Sequence, residues 1–329
     1  MNFKRISAGA LALTMTAALG ANALAADKPE GWTPADGARI VPISAPVDGM
    51  LISPNPNAGS YDKVITVNGE TLEGYEYDRE VPGWGSETVS VKLSEIPTAP
   101  TGYLPLRAVL QADHGSASWD SYSYTSTFFY EKDMIVADFN DMSISVNDEK
   151  VEGAQALLIE GVTYVPFSVL EKLEGITVTD NSTDAGESYA IVTPNNAPLM
   201  KLAYQLLETA GTGRGMKSTP DELVEVYGET HGFTAGQITE GVAFMPMMIS
   251  PDTLVLGKMA EGSQKDLEAA FESYRKSQEE TFTWYLSQNL PKVENAKFVV
   301  EGDWFLFLIA ENVDEAVTFF QENVKTLAE

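Results

Sequence analysis

"TYVPFSVLEKLEG" (residues 163–175) restates, 61 positions further on, the phrase "GYLPLRAVLQADHG" (residues 102–115). At that offset Tyr103 meets Tyr164 and Pro105 meets Pro166. In each copy a short extended run reaches a proline, and apolar residues then recur at helical spacing. These are Leu106, Val109 and Ala112 in the first copy, and Phe167, Leu170 and Leu173 in the second. Proline suits the first turn of a helix, where its missing N–H costs nothing. The spacing predicts a short helix with one face buried on a sheet. Gly115 and Gly175 stand where a left-handed residue closes a helix. The phrase reads as fold-making grammar rather than chemistry.

More of the repeat lies upstream. "VNGETLEG" (67–74) recurs as "VNDEKVEG" (146–153), with Asn-Gly and Asn-Asp where a tight hairpin turn belongs. These copies are 79 residues apart, so the first unit carries 18 more residues, which fall around "YEYDREVPGWGSETVSVKL" (75–93). Each unit reads as strand, turn, strand, short helix, strand. A Pro-, Gly- and Asn-bearing leader (26–60) precedes this repeat domain (61–193), and "TPNNAP" marks a linker at 194–198.

After the linker (199–329) the pattern becomes helix-rich. Helices are expected over 199–209 and from Pro220, with Thr219 as cap. Strands follow at 242–249 and 253–259, then a long amphipathic helix over 264–290. Its stripe comprises Leu267, Phe271, Tyr274, Gln278, Phe282, Tyr285 and Leu286. A hairpin over 296–310 turns at Gly302-Asp303, and Asn312 caps a last helix. The ββαββα order predicts an antiparallel sheet with helices on one face, and an α+β fold for the whole chain.

The first 25 residues have the form of a secretory signal. Lys4 and Arg5 lead an apolar run from Ile6 to Leu19, and Ala23-Leu24-Ala25 supplies a cleavage site. Retention of the segment as an anchor is the alternative. The expected mature chain is soluble, secreted or held at the cell surface, with no stable membrane insertion after cleavage. Cleavage leaves 19 basic against 48 acidic residues, a net charge of −29. With no basic cluster, that charge excludes nucleic acid and disfavours electrostatic attachment to an anionic wall or lipid. The chain has no cysteine, hence no disulfide and no lipidation site.

The repeated unit resembles the copper amine oxidase N-terminal-like (stalk) domain of secreted Gram-positive bacterial proteins. "VNGE", "VNDE", "YLPLRAVLQADHGSASWD" and "GVTYVPFSVLEKLEGITV" carry the likeness, over about residues 65–192. The second unit departs from the pattern, with Ser168 where the first has Arg107 and Asp180 where it has Trp119. The resemblance implies a non-catalytic stalk or adaptor module. The C-terminal part is similar to a domain of unknown function found in secreted Gram-positive proteins and lipoproteins. "VAFMPMMISPDTLVLGKMAEGSQKDLEAAFESYRKSQ" (242–278) and "GDWFLFLIAENVDEA" (302–316) carry this second likeness.

Catalytic readings fare poorly against the residues. "TLEGYEY" (71–77) is one residue from the motif whose tyrosine becomes the quinone of copper amine oxidases, with Gly74 where Asn is expected. That cofactor needs a copper held by three histidines, and the chain has His114 and His231 alone. Each histidine precedes a glycine at a helix end, which suggests a capping or surface role. No zinc signature and no nucleophile-elbow serine occurs. "GTGRG" (211–215) lacks the ending of a phosphate loop and reads as an inter-helix turn. "DNSTDAGE" (180–187) fails as an EF-hand, with Ala185 at its sixth position and Ile191 at its twelfth.

The insertion is the least bland feature, because Tyr75, Tyr77 and Trp84 gather in a Pro/Gly-bearing segment. Exposed on a loop, such rings bind sugars or a protein partner, and the alternative is that they pack against the strand edge. The chain is thus read as an exported, non-enzymatic binding or scaffolding protein of the cell envelope, without cofactor or metal. Its expected partner is wall glycan or another envelope protein, with Tyr75, Tyr77 and Trp84 as ligand-binding residues. A carboxylate-dependent glycan hydrolase and a structural spacer are the alternatives. The hydrolase requires two carboxylates about 5–9 Å apart in a cleft, and the spacer requires the rings to be buried.

Overall fold

The computed structural model describes residues 63–81, 85–213, 215–246 and 249–327. The signal segment, the leader and Trp84 lie outside the described residues. The described chain divides into two compact units, meeting in sequence at Asn195 and Asn196.

The first unit opens with β1 (Val64–Val67) and β2 (Glu70–Thr71), then the insertion strands β3 (Gly74–Val81) and β4 (Gly85–Lys92). β5 (Tyr103–Pro105), α1 (Leu106–Gln111), β6 (Ser116–Asp120) and β7 (Thr125–Tyr130) complete the first repeat. β8 (Asp133–Asp138) links it to β9 (Ser143–Val146), β10 (Glu149–Lys150), β11 (Leu157–Ile159) and β12 (Val162–Pro166). The second repeat ends with α2 (Phe167–Leu170), β13 (Thr177–Asp180) and β14 (Ser188–Val192).

The strands do not group by repeat. β1 and β2 join β14 and β13, with β1 parallel to β14 from Val64↔Ser188 to Val67↔Ile191. β9 and β10 join β8, β7 and β6. The opening strands of each repeat therefore share a sheet with the closing strands of the other. Between them β12 runs antiparallel to β5, in the register Tyr164↔Pro105, Val165↔Leu104 and Pro166↔Tyr103. At an offset of 61 this register maps each copy of the phrase onto the other, about an axis through Leu104 and Val165. The phrase occurs twice because its two copies pair. Both central side chains are buried, in one core that also holds Ile65, Phe128, Ile144 and Tyr189 from the two outer sheets.

Three local expectations in this unit are corrected. Pro105 and Pro166 are the N-cap residues of α1 and α2, still extended, rather than the first helical residues. α1 is buried from Leu106 to Leu110, leaving Ala112 exposed, so the helix is enclosed rather than one-faced. The left-handed residue after α1 is His114 (φ 73°), the counterpart of Gly175 (φ 74°). Gly115 serves a different need, since a Cβ there would stand 2.8 Å from Leu110 Cβ and 2.9 Å from its carbonyl oxygen.

The second unit contains α3 (Pro198–Ala210), β15 (Met216–Ser218), α4 (Pro220–His231), β16 (Ile238–Met245) and β17 (Thr253–Met259). α5 (Gln264–Trp284), α6 (Leu290–Glu294), β18 (Lys297–Glu301), β19 (Trp304–Ile309) and α7 (Val313–Asn323) follow. The sheet is antiparallel in the order β15-β16-β17-β19-β18, with β15 an edge strand that periodicity did not reveal. Thr219 caps α4 as expected, its Oγ1 accepting from Glu222 N at 3.3 Å while Glu222 accepts from Thr219 N at 2.7 Å. Asn312 occupies the N-cap of α7 without a side-chain capping bond.

The α+β class holds, but helices cover both faces of this sheet rather than one. Phe244, Leu254, Leu256, Leu306 and Leu308 pack with residues of α3 and α7 on one face. Val255, Phe305, Phe307 and Ile309 pack with residues of α4, α5 and α6 on the other. The reason is visible in β19, where all six residues are buried. A strand apolar at every position needs a cover on each side.

The long helix is also corrected. α5 stops at Trp284, Tyr285 is extended (φ −128°, ψ 125°), and Leu286 is left-handed (φ 56°, ψ 47°). This reversal returns Leu286 and Val293 to the core that holds Phe282.

Candidate functional sites

β3 and β4 form a regular hairpin in which Tyr75 faces Val91 and Tyr77 faces Val89. Side chains alternate across a strand, so Tyr75 and Tyr77 point together while Glu76 and Asp78 point the other way. The tyrosines are 9% and 6% exposed, with ring centroids 6.3 Å apart and the Arg107 guanidinium 5.7 Å from the Tyr77 centroid. On the outer face Ser90 donates to Glu76 and Thr88 to Asp78, each at 2.7 Å. The expected exposed ring cluster is thereby corrected for two of its three members. They anchor the insertion to the core, because an amphipathic hairpin buries its aromatic side. A Cβ on Gly74 would lie 2.1 Å from the Val91 carbonyl oxygen, so the position that departs from the quinone motif is held by backbone approach.

A polar cluster of the first unit was missed as a site by sequence reading. Asn68 is left-handed (φ 53°) in the β1–β2 turn, and its amide donates to Asp113 Oδ1 at 3.0 Å and Thr193 Oγ1 at 2.9 Å. Asp113 Oδ2 accepts from the Tyr130 hydroxyl at 2.5 Å and from Asn195 Nδ2 at 3.0 Å. Burial, then the hydrogen bond to Asp113, pushes the Tyr130 hydroxyl far above its ordinary pKa. Asn147 (φ 52°), from the second copy of the turn, donates to Asp133 at 2.7 Å, and Asp133 accepts from Glu174 N at 2.8 Å. The "VN" of each copy is thus a clasp as well as a turn: the first reaches the loop after α1 and the residue after β14, the second reaches the start of β8. The signal available was the repeat itself, but not the partners.

A second knot joins β1 to β14. The Lys63 side chain, 1% exposed, pairs with Glu187 at 3.1 Å and donates to the carbonyls of Pro100 at 2.5 Å and Tyr103 at 3.3 Å. Glu187 also accepts from Gly102 N at 3.0 Å and from the Tyr189 hydroxyl at 2.7 Å. Burial alone would raise the Glu187 carboxyl, but the bonds from Gly102, Tyr189 and Lys63 outweigh it and hold it below its ordinary value. Tyr189 is pushed up to about 12, by burial first and then by Glu187. The Asp180–Glu187 loop closes on itself through Asp180 accepting from Ser182 N at 2.9 Å and Thr183 accepting from Ala185 N at 3.2 Å. Its final carboxylate is committed to Lys63. Beside the knot lies a groove of about 480 Å³ lined by Lys63, Thr71, Glu73, Lys92 and Ser94 among others.

His231 ends α4 and is half-buried. Its ring stacks on Tyr227 at 6.0 Å, meets Tyr274 edge-on at 5.6 Å, and lies with Nδ1 3.2 Å from Ser273 Oγ. Burial lowers its pKa, in the direction opposite to the preference of a helix C-terminus for a cation.

Exposed rings lie elsewhere. Tyr122 is 95% exposed in the first unit, and in the second Trp284 is 91% and Tyr285 58% exposed, where α5 gives way to the left-handed Leu286. Sequence reading placed Tyr285 on the buried stripe of a longer helix. Trp284 falls off that stripe, which was the one local sign of its exposure.

None of the helices among the described residues is long and apolar enough to cross a membrane. Residues 89–185 match the family model of the Copper amine oxidase N-terminal domain, and residues 216–310 match that of a Domain of unknown function (DUF4358). Both resemblances read from the residues are found, in the same order along the chain. No curated protein and no solved structure matches the chain.

Proposed function

We propose that the protein is an exported, non-catalytic binding or scaffolding component of the cell envelope, whose partner is wall glycan or another envelope protein. One observation carries the reading: the polar groups best placed for chemistry are engaged in joining the two repeats. Asp113, Asp133 and Glu187 each accept bonds from several segments of the first unit. The match to a stalk domain over 89–185 supports the same reading. The groove beside Lys63 is lined by one carboxylate, Glu73, whereas glycan hydrolysis by the usual route uses two.

The test is fractionation of producing cells, followed by incubation of purified mature protein with insoluble wall material. The expected result is recovery of the protein with the envelope fraction and no new reducing ends in the supernatant. Release of sugar would replace this reading with the hydrolase, and recovery in the cytoplasm would end it.

A further inference from the structure

Resting on that reading, we infer that Trp284 and Tyr285 form a stacking platform for neutral pyranose chains. Large aromatic side chains are mostly covered in folded proteins, and a contiguous exposed group of them marks a binding surface. Here two rings consecutive in sequence stand in solvent, and Ile249, 53% exposed, is tied to the same bend by Asn289 Nδ2 donating to its carbonyl at 3.4 Å. The geometry holding them out is strained. Leu286 keeps a left-handed backbone that a non-glycine residue adopts at a cost, and it packs inward while the two rings before it face water.

Size and charge identify the occupant. The three side chains expose on the order of 400 Å², against about 800 Å² that each partner contributes to a standard protein interface. The run from Thr281 to Pro291 carries no charge, in a chain whose acidic excess repels polyanions and anionic lipid. The same run also exposes Thr281, Thr283, Ser287 and Gln288. The two threonine hydroxyls donate to the Ser277 and Glu279 carbonyls, at 3.0 and 2.6 Å, which leaves their lone pairs for a donor. An apolar ring face bordered by neutral hydroxyl and amide groups complements a pyranose, whose C–H face stacks while its hydroxyls reach sideways.

The mature full-length protein is titrated with chitohexaose and cellohexaose, followed by tryptophan emission and by calorimetry. Saturable binding is expected, weakened at least about tenfold in Trp284→Ala and unchanged in Tyr122→Ala, which removes an exposed ring of the other unit. Because Trp284 is exposed, its variant should keep the wild-type urea midpoint. No saturable binding of either sugar, or equal affinity in Trp284→Ala, overturns the inference. Concentration-dependent self-association that Trp284→Ala abolishes would also overturn it and assign the patch to a second copy. Wall material separates the two readings: if wild type and Trp284→Ala sediment with it equally, the envelope reading stands and this site falls. If neither sediments and neither sugar binds, this site falls along with the wall-binding form of that reading.

Discussion

Asp113 shows how single side chains hold the first unit together. Its carboxylate takes hydrogen bonds from Asn68, Tyr130 and Asn195, which lie 45, 17 and 82 residues away in sequence. Removing a buried acceptor leaves its donors unsatisfied, and that costs more than the bonds contributed. Asp113→Ala should therefore lower the unit's stability by about 2–3 kcal/mol in urea unfolding, with Asp113→Asn intermediate. Glu187 gives a pH signature. Its carboxyl is lowered in the folded state, so the folded protein binds that proton less readily than the unfolded chain. The stability it contributes is present above the unfolded value of about 4.3 and is lost as pH falls through the lower folded value. Glu187→Gln should flatten the decline in urea midpoint below about pH 4.5. An unchanged slope would show that other carboxylates account for it.

At the scale of elements, alternation and capping explain most of what forms. The Tyr-Glu-Tyr-Asp order of β3 sends both rings inward, and the Thr219–Glu222 capping box begins α4. Thr219→Ala should cost about 1 kcal/mol, and Thr219→Ser should restore most of it, as read by thermal unfolding. A variant with wild-type stability would mean that Pro220 and the packing of Leu223 set the helix start. The end of α5 is the contrary case. Helical periodicity continues past Trp284, yet the chain reverses there because Leu286 and Val293 find the same core by turning back.

At the scale of the molecule, the two repeats are interdependent. β1 depends on β14 for its parallel partner, and β9 depends on β8, which pairs in turn with β7 of the first repeat. β5 and β12 also complete one another. Within the first unit taken alone (63–195), a cut between the repeats, after Lys132, should yield two halves that are each unfolded by circular dichroism. Mixing them should recover the strand signal. Independent folding of either half would contradict the exchanged sheets.

Much of the fold was legible in the residues, and much of the candidate site was not. The 61-residue echo, the Asn-containing turns, most of the strands and helices after Pro198 and the Thr219 cap are local signals. Each acts over a few residues, through the period of a strand or helix, the geometry of a turn or the satisfaction of a backbone N–H. Signals of this range suffice for the α+β class and the two family resemblances. Long-range packing is what sets the exchange of strands between the repeats, the burial of Tyr75 and Tyr77 with Trp284 left in solvent, and the cover on both faces of the second sheet. Those outcomes depend on which apolar surfaces meet across tens of residues, and a side chain's burial is set by what covers it rather than by its place in a pattern.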